Sequence, residues 1–252
     1  MTEPQTEPRT DDAPQPLVAH LKELRDRLLR SVLAVLLVLI ALMGFANDIY
    51  AFLSEPLRKL LPPGSSLIAT DVGSTFFAPF KLTMVTAVLV CVPYLLYQVW
   101  SFIAPGLYKQ EKKLAVPLLI SSVLLFYAGM AFAYYAVFPV IFGFFSQIAP
   151  EGVAYTPDIT KFLDMALKML LSFGVTFEIP VATFLLVWSG ATSVAALSAK
   201  RPYVIVGCFV IGALLSPPDV ISQTLMALPM WFLFEAGIVA SRLIKKRDAA
   251  DE

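Results

Sequence analysis

Apolar side chains run uninterrupted by charge from Ser31 to Ala46, from Leu82 to Tyr108, from Leu114 to Pro150 and from Ile179 to Ala199. A bilayer core about 30 Å thick needs roughly 20 such residues per helix, so the pattern predicts an all-α, polytopic membrane protein. Turn chemistry divides the apolar sequence into six spans, at about 28–46, 76–98, 114–138, 162–188, 203–217 and 220–240. Between the first two, Ile49, Phe52, Leu53, Leu57, Leu60 and Leu61 recur at helical intervals. That spacing predicts a short amphipathic helix on the outer membrane face, ended by Pro62, Pro63 and Gly64. The fifth span offers about 15 residues, or about 22 Å, before Pro217 and Pro218 turn the chain, which is too short for an undistorted bilayer. Pro93, Pro117, Pro139 and Pro180 fall inside or near the ends of spans. Each removes a backbone donor and kinks its helix, so the bundle is expected to be curved and cavity-bearing. No repeat relates the two halves of the chain.

An even number of spans puts both termini on one side, and the basic residues say which. Of the 19 Lys and Arg, 14 lie in the N-terminal segment, the 99–113 and 189–202 loops and the C-terminal tail. By the positive-inside rule these regions are cytoplasmic. Residues 1–16, polar and Pro-rich, read as a disordered tail rather than a cleaved leader, residues 17–242 as one membrane domain, and residues 243–252 as a charged cytoplasmic tail. Formal net charge is zero, which argues against a nucleic-acid partner. Cys91 and Cys208 lie in apolar segments without a CxxC pair and read as buried thiols.

No phosphate loop, HExxH or GxSxG motif is present, and His20 is the single histidine. The expectation is therefore a non-enzyme without cofactor or metal. Charged and polar residues in four places invite a functional reading. In HLKELRDRLLR, Glu23 faces Arg27 and Asp26 faces Arg30 at i,i+4; Glu23 is either one half of a surface ion pair or an acceptor for a partner's guanidinium. Glu111 sits among Lys109, Lys112 and Lys113 after an IAPG turn, either in a solvated loop or in the same acceptor site. Glu178 lies ten residues, about 15 Å, from the interfacial Trp188. A charge near mid-bilayer costs about 2.5–3.5 kcal/mol, so Glu178 is expected to face protein or a cavity. Pro180 frees the carbonyl of Thr176 beside it. Finally, Asp219 is placed to cap the last helix after Pro217 and Pro218, with Gln223 one turn further in.

The stretches HLKELRDRLL, FANDIY, ATDVGSTFF, YQVWSFIAPGLYKQEKK, LLFYAGMAFAYY, FGVTFEIPV, KRPYVIVG and SPPDVISQT resemble, in order, the TatC family of the twin-arginine protein translocase, over about Leu17 to Arg242. The resemblance implies six spans with cytoplasmic ends in a bacterial inner membrane, a concave face across the bilayer and a receptor for the twin-arginine signal peptides of folded cargo, driven by the proton motive force. It further implies that Glu23 and Glu111, with Arg25 nearby, read the arginine pair. Glu178 and Gln223 are implied to lie where the single-span TatA and TatB subunits engage, and further TatC copies are implied in the assembly. A proton-coupled small-molecule transporter with Glu178 as proton carrier is the competing class, and an intramembrane hydrolase a third that lacks a paired catalytic group.

Overall fold

The computed structural model describes residues 17–60, 67–103, 112–148, 156–215 and 219–248. Glu111, Pro217, Pro218 and the 1–16 tail lie outside them. The described residues are almost wholly helical, in the order α1 (Leu17–Leu42), α2 (Ala46–Leu60), α3 (Ser74–Ile103), α4 (Lys112–Phe132), α5 (Phe138–Gln147), α6 (Ile159–Thr176), α7 (Ile179–Trp188), α8 (Val194–Ala199), α9 (Arg201–Leu215) and α10 (Val220–Asp248). Five helical stretches are long and apolar enough to cross a membrane, and α9 is a shorter apolar helix. The short fifth stretch of the sequence reading corresponds to α9, a helix of 15 residues, about 22 Å long.

The first span differs from expectation. The charged segment 20–30 and the apolar run after it form one helix, α1, which passes through a 3-10 turn at Met43–Phe45 into α2. Polarity changes along this stretch, but no Gly or Pro interrupts its backbone hydrogen bonds before Gly44. No side chain described in α1 is buried; it lies at the edge of the bundle against α3. At the other end, α10 runs on to Asp248, so part of the expected tail is helical.

The prolines act as their chemistry requires. Pro93 cannot donate to the carbonyl of Leu89 four residues earlier, and the Tyr127 hydroxyl of α4 donates to that carbonyl at 3.0 Å instead. Between α4 and α5 the chain widens into a π turn at Ala133–Val137, with Pro139 in the first turn of α5. Pro180 sits in the first turn of α7, and the fourth span breaks at Phe177 and Glu178. This leaves the Thr176 carbonyl without its usual helical donor.

Packing runs α1 with α3, α2 with α3 and α5, α4 with α6, and α10 with both α7 and α9. The centre is filled by Leu82, Phe138, Ile141, Phe173 and Met226, all fully buried. Glycines set the closest approaches. A Cβ on Gly129 of α4 would lie 2.4 Å from the Phe173 carbonyl oxygen of α6, and one on Gly237 of α10 would lie 2.9 Å from the Pro180 Cα of α7. Cys91 and Cys208 are buried free thiols. The loop before α3 is tied to the start of α6: Ile159 N–H donates to the Ile68 carbonyl at 2.9 Å, and the Asp158 carboxylate caps α6 through Thr160 and Lys161 N–H while accepting from the Thr70 hydroxyl at 2.6 Å. The Thr70 hydroxyl, then the Lys161, Thr70 and Thr160 amides, hold that carboxyl down at about 2, so it caps in its charged form at neutral pH.

Candidate functional site

At the N-terminal end of the bundle, α1 presents Glu23 and Arg27 one turn apart toward the end of α3. Arg27 Nε and Nη2 donate to Glu23 Oε1 at 3.0 and 2.6 Å. The same guanidinium donates to Gln98 Oε1 at 3.2 Å and to the Ser101 carbonyl at 3.2 Å. Gln98 is buried, and both members of the ion pair are half-buried. The i,i+4 pair read from the sequence is therefore one corner of a four-residue network that fixes α1 to α3. Among the described residues both of these bonds fall on Oε1 of Glu23, leaving Oε2 for another donor. Arg25 is exposed and pairs with Asp26 at 2.8 Å; Asp26 thus turns to Arg25 rather than to the expected Arg30. Sequence reading passed over Gln98. Its signal was an amide inside the charge-free run from Leu82 to Tyr108, close to the charges that end it.

The second polar site is intramembrane. Glu178 occupies the break between α6 and α7, its side chain partly buried, and Oε1 lacks a hydrogen-bond partner. The Ser122 hydroxyl of α4 faces its carboxyl, and Ser122 Oγ accepts from Trp100 Nε1 of α3 at 3.3 Å. Thr176, buried, ends α6 immediately before the break. The structure thus joins Glu178 to Ser122 and, through it, to Trp100, two residues that the sequence did not single out.

Gln223 lies elsewhere. Its Nε2 donates to the Phe209 carbonyl of α9 at 2.9 Å. The Pro180 end of the Glu178 site packs on Gly237, 14 residues further along α10, about 21 Å at 1.5 Å per residue. Glu178 and Gln223 are therefore two sites at different depths. Asp219 Oδ1 accepts from Ser222 N–H at 2.7 Å, capping α10 as expected, while Asp219 Oδ2 and Ser222 Oγ are buried without a partner. Near the other end of α9, Arg201 grips Glu235 of α10 through two bonds, 2.5 and 2.8 Å long.

Residues 19–229 match the family model of the Sec-independent protein translocase protein, TatC. The chain belongs to the TatC family. It is 60% identical over 237 residues to the Sec-independent protein translocase protein TatC of Azotobacter chroococcum mcd 1, covering 94% of this chain and 93% of that one. It is 57% identical over 228 residues to TatC of Escherichia coli K12, covering 90% and 88%. The crystal structure of a twin-arginine translocase receptor, TatC, superposes with a TM-score of 0.78 at 35% identity, covering 89% of this chain and 98% of that one. Membership makes this multi-pass chain a core subunit of a Tat protein translocase, which disfavours the small-molecule transporter.

Proposed function

We propose that this TatC-family chain is the receptor that reads twin-arginine signal peptides, with Glu23 and Glu111 as the acceptors and Arg25 beside them. The observation that carries this reading is the geometry at Glu23: a carboxylate oriented by Arg27, whose guanidinium is itself held by Gln98 and the Ser101 carbonyl, at the rim of the bundle. A carboxylate held in this way selects guanidinium over ammonium, because only arginine offers a planar fork of donors. Arg27 serves as a positioning residue. Replacing Glu23 or Glu111 by Ala is expected to weaken binding of an RR peptide by about 1.5–3 kcal/mol each, with a KK peptide binding poorly to every form. Titration of labelled peptides against purified protein checks this, and unchanged RR affinity in both folded variants would remove the assignment.

The reading places six spans in a bacterial inner membrane, with α9 as the short fifth, and puts both termini in the cytoplasm. Residues 17–242 form the membrane domain, flanked by cytoplasmic tails. Glu178 is the polar handle for a TatA or TatB helix, Thr176 supplies an acceptor beside it, and Gln223 belongs to a separate contact near the outer end of α10. Cysteines introduced at Ser65 and Gly152 are expected to react with an impermeant thiol reagent added outside, and those at Gln110 and Ala199 only after the cytoplasm is opened. The opposite labelling pattern would reverse the orientation and with it the cytoplasmic signal-peptide site.

A further inference from the structure

We infer that the cavity enclosed by α2, α3, α4 and α6 holds one acyl chain of a phospholipid whose ammonium-bearing headgroup lies along α2. The cavity measures about 610 Å³. Its wall is built from apolar side chains of the spanning helices, among them Leu82, Leu89, Met130, Leu167 and Leu170. The hydroxyls of Tyr127 and Tyr134, also on the lining, are engaged: they donate to the Leu89 carbonyl at 3.0 Å and to the Phe52 carbonyl at 3.1 Å. Val90, midway along α3, and Tyr135 line the cavity and are exposed, so its mouth faces the hydrocarbon of the bilayer. From Leu82 to Val90 it follows α3 for about 12 Å, and its long direction is that of a lipid chain.

Size and chemistry decide the occupant. Water is poorly held in so apolar a space, and a void left empty would forfeit the dispersion contacts of its whole wall. A spanning helix about 10 Å across and 30 Å long needs roughly four times this volume. At about 30 Å³ for each water-sized group the cavity takes about 20 of them, near the carbon count of one membrane acyl chain. Such a chain is already in hydrocarbon, so what it gains on entry is packing rather than transfer from water. The headgroup is fixed by α2, the amphipathic helix at the membrane face. Asp48, Phe52, Glu55 and Lys59 follow one another at steps of four, three and four residues, so they share one side of that helix. Phe52 lines both the cavity and a polar depression formed with Ala51, Glu55 and Lys59, and its ring stacks on Tyr134 at 5.5 Å. A lipid with its chain in the cavity therefore has its headgroup over these charges. Glu55 and Lys59 are an exposed pair 2.7 Å apart, and Asp48 adds a second carboxylate on the cavity lining. Two acids and one lysine complement an ammonium and a phosphate, and they disfavour a headgroup that carries negative charge alone.

The test reconstitutes the full chain in vesicles of phosphatidylethanolamine and phosphatidylglycerol in equal amounts. One lipid or the other carries a diazirine in an acyl chain, and attachment is mapped by mass spectrometry of peptides. Attachment from the ethanolamine lipid is expected to be denser at Met130 and Leu170 than along the exposed α1 face at Leu33, Leu37 and Ile40, which meets bulk lipid. In the cavity it should exceed attachment from the glycerol lipid about fivefold, the effect of one charge at a membrane surface. Asp48→Asn combined with Glu55→Gln should remove that preference. Ala131→Trp, at an exposed position on the lining, should abolish cavity attachment while leaving attachment along α1 unchanged, and Val90→Trp should do the same. Cavity attachment no denser than along α1 overturns the site, as does attachment that survives both Trp variants. Equal attachment from the two lipids in the wild-type protein, or a preference that persists without the two acids, overturns the headgroup assignment and the proposal with it. A photoreactive residue at Val90 that captures a second copy of the chain, or another protein, in place of lipid overturns it as well.

Discussion

Gly129→Ala is expected to cost about 3 kcal/mol or more, the upper end of overpacking penalties, and to leave little folded protein in the membrane. The added methyl would sit 2.4 Å from the Phe173 carbonyl oxygen and 2.9 Å from both the Phe173 carbonyl carbon and the Phe177 ring. Two of those three atoms are backbone, so no rotamer change relieves the contact. α4 and α6 must separate. Gly174 faces the Phe126 ring in the same interface, so the separation would also release the neighbouring turn. The damage would reach function as well, because Ser122 of α4 faces Glu178 just beyond α6. Gly207→Ala provides the contrast, since nothing lies within 4 Å of a Cβ there. It should be neutral or slightly stabilising, because Ala is favoured over Gly in a helix by roughly 1 kcal/mol. Thermal unfolding of the two purified variants in detergent measures the difference, and similar midpoints would reject the close α4–α6 contact.

Why the spans were legible in the sequence and the sites only partly so follows from the range of the forces involved. Hydrophobic length is a local property, which is why α3, α4, α6 and α10 lie where the apolar runs place them. Pro180 and Asp219 likewise act within one helical turn of themselves, and both the break before α7 and the cap on α10 were readable. α1 shows the opposite case. Its composition shifts from charged to apolar near Ser31, yet the helix continues, because backbone hydrogen bonding does not require uniform polarity. The π turn at Ala133–Val137 carries no local composition that marks it.

The polar networks depend on distant partners. Arg27 reaches Gln98 and Ser101, 71 and 74 residues away, and Arg201 reaches Glu235 across 34. The sequence indicated that a carboxylate at Glu23 needs a donor, and it offered Arg27 as the nearest one. It held no sign that Arg27 also braces α3. Gln223 shows how depth is lost in a linear reading. Both it and Glu178 are polar residues in apolar spans, and only the packing of Gly237 on Pro180 separates their levels.

Glu178→Ala is expected to abolish export of a folded twin-arginine cargo, while Glu178→Gln retains most of it. The carboxyl lies at a helix break beside the Ser122 hydroxyl, with Oε1 buried and unpartnered. An unsatisfied polar atom in such a place is costly until a partner donates to it. A docking handle needs only shape and hydrogen-bonding capacity. The Gln amide keeps an oxygen to accept from Ser122 and supplies its own donors, so a polar group on an incoming helix still finds a match. Alanine removes both functions and strands the Ser122 hydroxyl, with an expected loss of about 1–2 kcal/mol in partner association. A proton carrier behaves differently, because it must lose and regain a proton in each cycle, which an amide cannot do. Measuring export in cells alongside site-specific crosslinking from position 178 separates the two. Mild loss for Gln, severe loss for Ala, and crosslinks to a TatA or TatB helix that weaken in Glu178→Ala are the expected set. Complete loss in both variants with normal assembly would instead make Glu178 a proton carrier, and an absence of crosslinks to any partner helix would count against docking on its own.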